Sequence, residues 1–315
     1  MKTVSIIIPA FNEEESLSAL YTRLRALMDA AALQYEWEVL FVNDGSTDAT
    51  AVIIDSLIEQ DGRIAVVELS RNFGKEAAML AGFDYVSGDC AIVLDADLQH
   101  SPEIIPEMLR YWEEGYDDVY ARRRERGDAS WLRKAFSRWY YRILQHSSKI
   151  DVLPDVGDFR LLDRKCIDTL RSLREQCRYT KGMYAWIGFR KKEILCDQQE
   201  RVAGQSKWNF FSLLNLAIEG LTSFSVRPLR ISSVLGMCIS VIAFIYMIVI
   251  IAKTLLWGEP VSGYPSLMCI ILFLGGIQLL SLGVIGEYLG RIFNETKQRP
   301  TYVVRIYKKR VDEQR

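Results

Sequence analysis

Two long apolar stretches near the C-terminal end limit what this chain of 315 residues can become. Residues 231–257 are apolar apart from Lys253 near one end, and residues 264–285 carry no charge at all. Each exceeds the roughly 20 residues that cross a bilayer as a helix, and both are too uniformly apolar for the core helices of a soluble domain. The connecting sequence WGEPVSGY holds no Lys or Arg, whereas Arg227 and Arg230 precede the first stretch and Arg291, Lys297 and Arg299 follow the second. By the positive-inside rule this predicts a hairpin with both ends cytoplasmic, Lys253 snorkelling to the outer interface. Three parts are expected: a cytoplasmic domain over 1–226, a hairpin over 227–290 with spans at about 231–257 and 264–286, and a basic tail over 291–315. That tail has eight Lys/Arg against three Asp/Glu from Arg291 onward, a balance suited to lying along an anionic leaflet. Gly286 and Gly290 form a G-x-x-x-G spacing in the second span, so a homo-oligomer is expected.

The rest of the composition mainly excludes. A net charge of -1 leaves no footprint for nucleic acid. The six cysteines form no CxxC pair and read as free, small apolar side chains in a reducing compartment. With His100 and His146 as the two histidines, neither a His-rich metal site nor a Ser-His-Asp triad is a natural reading. The N-terminal apolar run meets Pro9 and Asn12 too soon for a signal peptide, so a cytoplasmic N-terminus is expected.

Ahead of the hairpin the periodicity alternates. Residues 4–9, 38–42, 64–69, 90–94 and 118–121 are short runs with strand character. Between them, residues 17–33, 49–58, 76–86 and 102–113 have helical spacing. Alternation of this kind predicts a mostly parallel, Rossmann-like sheet with helices on both faces, and ligands beyond the carboxyl ends of its strands. The first strand ends in PAFNE, the second in VNDGSTD and the fourth in VLDADLQ, which delivers carboxylates to one rim. For any one of them a helix cap is the plainer reading, with Asp48 or Thr47 capping the next helix. Together they call for something positive. Asp95 and Asp97, alternate residues at a strand end, can turn two carboxylates and the amide of Gln99 onto one hard cation. Mg²⁺ or Mn²⁺ held there would neutralise a diphosphate leaving group, and the sequence has no Walker A motif to grip phosphates otherwise.

With these residues the chain resembles the family-2 glycosyltransferases of GT-A fold, and within them the polyprenyl-phosphate hexose synthases, most of all the bactoprenol glucosyltransferases. The segments that carry the resemblance are PAFNEEES, FVNDGSTD, SRNFGKEAAMLAGFD, DADLQ, VGDFRLLDR, ERVAGQSKWN, TSFSVRPLR, YPSL, LFLGGIQLLSLGVIGEYLGR and KQRPTY, in family order over nearly the whole chain. The resemblance implies a nucleotide pocket of Pro9, Phe11, Glu13, Asp44 and Ala96, with Asp44 accepting from the uracil N–H. It implies a metal bound by Asp95, Asp97 and Gln99, and Arg201, Ser206 and Lys207 closing over the diphosphate. His100 stands where close relatives are often acidic and is expected to be a bystander facing solvent.

Residues 130–144, SWLRKAFSRWYYRIL, set Trp131, Ala135, Trp139 and Ile143 beside a stripe of Lys134, Arg138 and Arg142. That pattern fits a helix in the headgroup layer, or an ordinary helix packed on the sheet. WNFFSLLNLAIEGLTSF is a second interfacial candidate. By similarity to dolichyl-phosphate mannose synthases, Arg122, Arg133 and Ser137 would hold the phosphate of a lipid acceptor, with Arg160 near them. Asp158 of VGDFRLL matches the family's catalytic aspartate and is expected to pair with Arg160. What the resemblance implies is inverting transfer of a hexose, glucose first, from a UDP-sugar to undecaprenyl phosphate by a multi-pass protein of the bacterial inner membrane. The alternatives are another hexose or modified sugar, or a non-catalytic scaffold that binds nucleotide sugars or lipid phosphates. A processive polysaccharide synthase would carry QxxRW and more spans, and neither is present.

Overall fold

The computed structural model describes residues 1–123, 156–176, 178–196 and 263–310, with scattered positions between 229 and 256. The chain divides into two units, one of residues 1–217 with 300–315 and one of 218–299.

The first unit is an α/β sheet with covered faces. Its opening alternation is β1 (Lys2–Ala10), α1 (Leu17–Ala30), β2 (Tyr35–Asn43), α2 (Thr50–Gln60), β3 (Ile64–Leu69), α3 (Lys75–Tyr85) and β4 (Cys90–Val93). A 3₁₀ turn (Pro102–Ile104) leads into α4 (Ile105–Glu113), followed by β5 (Asp118–Arg123) and, further on, β6 (Val156–Asp163). The remainder is α5 (Arg164–Ser172), α6 (Thr180–Trp186), β7 (Lys191–Cys196) and β8 (Val304–Lys309). Consecutive residues Ile6, Ile7 and Ile8 are all buried, as a strand covered on both faces requires.

Strand order is β7-β5-β6-β4-β1-β2-β3-β8. The pairs β1–β2, β1–β4, β2–β3 and β5–β7 are parallel, while β6 and β8 run against their neighbours. The chain winds outward from β1 through β2 to β3 and then returns to place β4 on the other side of β1. That reversal is the switch point where open α/β sheets form their ligand crevice.

Pro9 shows how the crevice opens. A proline inside a central strand forfeits a ladder hydrogen bond. In β1 the odd positions face β4, since Asp89 N donates to Thr3 O and Leu94 N to Ile7 O, whereas Asp44 N donates to Ala10 O on the β2 side. The β1–β4 register ends at Ile7 opposite Val93, so the missing N–H of Pro9 lies where β4 has already parted from β1. The β2 side continues to Ala10 opposite Asn43.

The stretch expected as a basic tail carries a strand. Val304–Lys309 pairs antiparallel with β3 and covers what would otherwise be an open sheet edge. Lys308 Nζ reaches Asp55 at 2.9 Å, and Arg310 donates to Glu59 O at 2.9 Å. Val-Arg-Ile-Tyr-Lys-Lys alternates as an edge strand does, and its charges suit a solvent-facing edge as well as a membrane surface.

In the second unit, α7 (Tyr264–Thr296) begins where the second span was expected and runs ten residues past its expected end at 286. Its segment Phe273–Thr296, 24 residues, is long and apolar enough to cross a membrane. Leu279, Leu280, Leu282 and Leu289 are exposed along it, the apolar exterior of a helix solvated by lipid. The first expected span falls largely outside the described residues, as do the two interfacial helix candidates.

Candidate functional site

The rim of the crevice is built from loops tied to one another through the main chain. Asn12, at φ 58°, receives Thr47 N on its Oδ1 at 2.8 Å and donates its own N–H to Ser46 Oγ at 3.0 Å. Glu14 accepts from Ala49 N at 2.9 Å, and Asp48 from Thr50 N at 3.0 Å in the first turn of α2. Glu13 N donates to Thr50 Oγ1 at 2.8 Å. Part of the acid at the first two strand ends thus serves to fasten loops; the N-cap of α2 is Ala49, and Asp48, one residue before it, accepts from the first helical N–H without being the cap.

Asp44 has a related role. Only 3% exposed, it accepts from Phe73 N at 2.7 Å and Gly74 N at 2.9 Å. Burial pushes its carboxyl pKa up, and those two amides pull against that rise. The carboxylate expected to meet uracil is therefore already committed to shaping the loop after β3. Gly45, at φ 69°, lets this packing happen, because a Cβ there would lie 2.5 Å from the carbonyl carbon of Arg71. Phe11 stands 43% exposed at the same rim, while Ala96 is buried.

On the β4 side of the switch point, β4 and its paired neighbour β6 bring two acids together. Their antiparallel register sets Val93 opposite Arg160, so two residues further along each strand Asp95 comes to face Asp158. Lys75, the first residue of α3, fills the gap: its Nζ is 2.6 Å from Asp95 Oδ1 and 2.7 Å from Asp158 Oδ2. The lysine side chain is 44% exposed and that of Asp158 12%. Burial would raise the Asp158 pKa, but the charges of Lys75 and Lys181 hold it below the usual carboxylate range. Burial would likewise lower the Lys75 pKa, and Asp95 and Asp158 outweigh it, holding the ammonium protonated. Asp158 Oδ1 is buried with no hydrogen-bond partner among the described residues. Asp97 Oδ1 accepts from Gln99 N at 3.1 Å, and Leu98 between them sits at φ 58° with its side chain buried. A left-handed leucine costs about 1–2 kcal/mol, strain of the kind that concentrates at functional turns. Among the described residues no group of three or more His, Cys, Asp or Glu is arranged to hold a metal by itself.

Two expectations are corrected. Asp158 does not pair with Arg160: Arg160 is 4% exposed, its Nη1 lies 3.0 Å from Asp118 Oδ2, and its guanidinium sits 3.6 Å over the Tyr184 ring. Side chains alternate along β6, but the cation nearest Asp158 comes from α3, which spacing in one segment could not reveal. An acceptor phosphate would have to reach Arg160 through packed protein. His100 is only partly exposed, not a free surface residue. It stacks on Phe159 with centroids 5.2 Å apart and lies against Gly157, and burial lowers its pKa.

Arg122 is on β5 and pairs with Glu193 at 3.2 Å. Arg133, Ser137, Arg201, Ser206 and Lys207 lie outside the described residues. Sequence reading gave no role to Lys75 or to Glu76, which accepts both the N–H and the hydroxyl of Thr180. The available signal was position: a residue opening a helix after a rim loop must stand at the rim.

Comparison with known proteins agrees with this architecture. A family described as Glycosyl transferase family 2 matches residues 5–171, and one described as GtrB C-terminal hairpin matches residues 227–292. The glycosyltransferase sll0501 of Synechocystis sp. is 45% identical over 301 residues, 96% of this chain and 94% of its own. The bactoprenol glucosyl transferase of Shigella phage SfV is 41% identical over 307 residues, 98% of this chain and 99% of its own. Glucosyl-3-phosphoglycerate synthase from Mycobacterium tuberculosis, solved with Mn²⁺, UDP and phosphoglyceric acid, aligns with a TM-score of 0.47 at 16% identity, over 70% of this chain and 76% of that one. A family match across more than half of the chain, together with relatives above 40% identity along nearly all of it, establishes that the chain belongs to glycosyl transferase family 2 and is a glycosyltransferase with a C-terminal hairpin.

Proposed function

We propose that this enzyme transfers a hexose, most simply glucose, from a UDP-sugar to undecaprenyl phosphate, inverting the anomeric centre in one displacement. The observation that carries the reading is that Asp95 and Asp158 stand together at the ends of the paired strands β4 and β6 with the Lys75 ammonium between them. The name bactoprenol glucosyl transferase on a relative aligned over 98% of this chain supports the choice of sugar and acceptor.

Phe11 offers an exposed ring for the base to stack on, with Pro9 and Glu13 beside it and Asp44 holding the neighbouring loop in shape. Arg201, Ser206 and Lys207 supply donors and positive charge to the diphosphate. The ammonium between Asp95 and Asp158 marks a place that retains positive charge, and Asp95, Asp97 and Gln99 are the residues that would bind Mg²⁺ or Mn²⁺. A divalent ion held by these residues would supply positive charge to offset the departing diphosphate.

A phosphate monoester has a second pKa near 6, so the acceptor is largely a dianion at cytoplasmic pH and already nucleophilic. A strong general base is unnecessary. Asp158, held ionised by Lys75 and Lys181 against its burial, is a weak proton acceptor and a persistent negative charge. It stabilises the positive charge that develops at the anomeric carbon. Arg122, Arg133 and Ser137 orient the acceptor phosphate, and Arg160 supports β5 and β6 from beneath through Asp118. The hairpin anchors the enzyme in the bacterial inner membrane with the catalytic domain and both termini cytoplasmic, and its glycines bring copies together as a homo-oligomer.

The test is to offer the purified chain undecaprenyl phosphate and Mg²⁺ with a panel of UDP- and GDP-sugars and to follow label into organic solvent. Label from UDP-glucose is expected there. UDP release with no lipid-borne label would overturn the acceptor, and preference for another donor would overturn the sugar.

A further inference from the structure

Lys75 does more in this geometry than keep Asp158 ionised. It opens α3 immediately after Gly74, whose φ of 95° turns the chain into the helix. From there its Nζ makes two short ion pairs, to Asp95 on the metal side of the crevice and to Asp158 on the acceptor side. The same α3 turn is fixed from below by Glu76, which accepts from Thr180 N at 3.0 Å. Thus the ammonium is carried on an anchored helix end and is not a wandering surface lysine.

We infer that Lys75 is a positioning residue, an internal cation that holds Asp158 against the rim and competes with the divalent ion for Asp95. Before a donor binds, two carboxylates stand side by side at the ends of β4 and β6, and Lys75 supplies the charge that keeps them together. Lys75 Nζ occupies Asp95 Oδ1 at 2.6 Å, so a divalent ion binding at Asp95 would have to displace it. Asp158 then remains tethered by Lys75 alone, aimed at the reacting carbon. The inference rests on the metal assignment made above for Asp95, and the experiment separates the two.

Mn²⁺ binding to the full-length chain in nanodiscs, without nucleotide, is read by the electron paramagnetic resonance of the free ion. Lys75→Met is expected to bind Mn²⁺ at least threefold more tightly than wild type. Its kcat for sugar transfer is expected to fall at least tenfold while the KM for donor stays within threefold, because the tether on Asp158 is lost. Lys75→Arg, which keeps the charge, should return Mn²⁺ affinity to within twofold of wild type. Unchanged or weaker Mn²⁺ binding by Lys75→Met, or an unchanged kcat, overturns the inference. Asp95→Asn serves as the separate control: if it binds Mn²⁺ as wild type does, the metal assignment fails, and the competition with it. Should Lys75→Met not fold, Lys75→Gln reads the same quantities.

Discussion

Replacing Arg160 by Met separates a supporting role from an acceptor-binding one. Asp118 is wholly buried, Arg160 nearly so, and their closest approach is 3.0 Å with a second contact at 3.3 Å. Removing one partner of such a pair leaves the other charge in the protein interior and costs about 3–5 kcal/mol. At about 2–4 °C per kcal/mol for a domain of roughly this size, the melting temperature should fall by on the order of 6–20 °C. The pH dependence has a definite sign. Burial raises the Asp118 carboxyl pKa, with Arg160 pulling the other way, so removing Arg160 raises it further. A carboxyl whose folded pKa exceeds its unfolded value stabilises the fold when protonated, and that contribution is lost as pH rises through the folded pKa. The deficit of Arg160→Met should therefore be largest at neutral pH and shrink as pH falls. Thermal unfolding of the full chain in nanodiscs, followed by near-ultraviolet circular dichroism from pH 5 to 8, supplies the measurement. Adding Asp118→Leu should recover most of the loss, since a packed apolar pair can replace a buried ion pair. An unchanged melting temperature with a raised KM for polyprenyl phosphate would refute the reasoning and return Arg160 to the acceptor site.

Three further outcomes are expected. Asp97→Asn should lower transfer by about a hundredfold or more, on the scale of losing one charge-stabilising group at a reacting centre, in a radiolabel partition assay at saturating Mg²⁺. Gly45→Ala should destabilise by about 1–2 kcal/mol through its left-handed backbone alone, with more from the approach of its Cβ to Arg71, and should weaken UDP binding measured by calorimetry. Asp61 is pulled down to about 2, because hydrogen bonds from Arg63 and Tyr21 outweigh the upward push of burial. Its contribution to stability is present above its unfolded pKa of about 3.9 and lost as pH falls through the folded value, so the difference in melting temperature between wild type and Asp61→Asn should narrow between about pH 4 and pH 2.

The alternating elements of the first unit were legible because their periodicity is strong and local. The strand over 64–69 is found with the same bounds, and the strand ends at Asp44 and Asp95 lie on the rim where the topology requires them. The bond from Thr50 N to Asp48 is equally local, since the two lie two residues apart, although the N-cap itself is Ala49. What escaped were partnerships across the fold. Lys75 meets Asp158 over 83 positions of chain and Arg160 meets Asp118 over 42, and no spacing within a segment encodes either. His100 illustrates the same limit: beside DADLQ it looks like a surface residue, and only the return of β6 along β4 brings Phe159 under its ring. The C-terminal strand was hidden for a different reason. Its charged residues satisfy an edge position and a membrane surface equally well, and only pairing with β3 decides between them.

The central claim is that the catalytic ion and the nucleotide sit together at the β1–β4 switch point, facing Asp158. Anomalous diffraction from crystals of the full chain grown with Mn²⁺ and UDP tests it most directly. The account predicts a manganese peak between the carboxylates of Asp95 and Asp97, in contact with diphosphate oxygens, with Lys75 withdrawn from Asp95 and still joined to Asp158. A manganese peak remote from Asp95 and Asp97, with UDP bound away from Phe11, would contradict it.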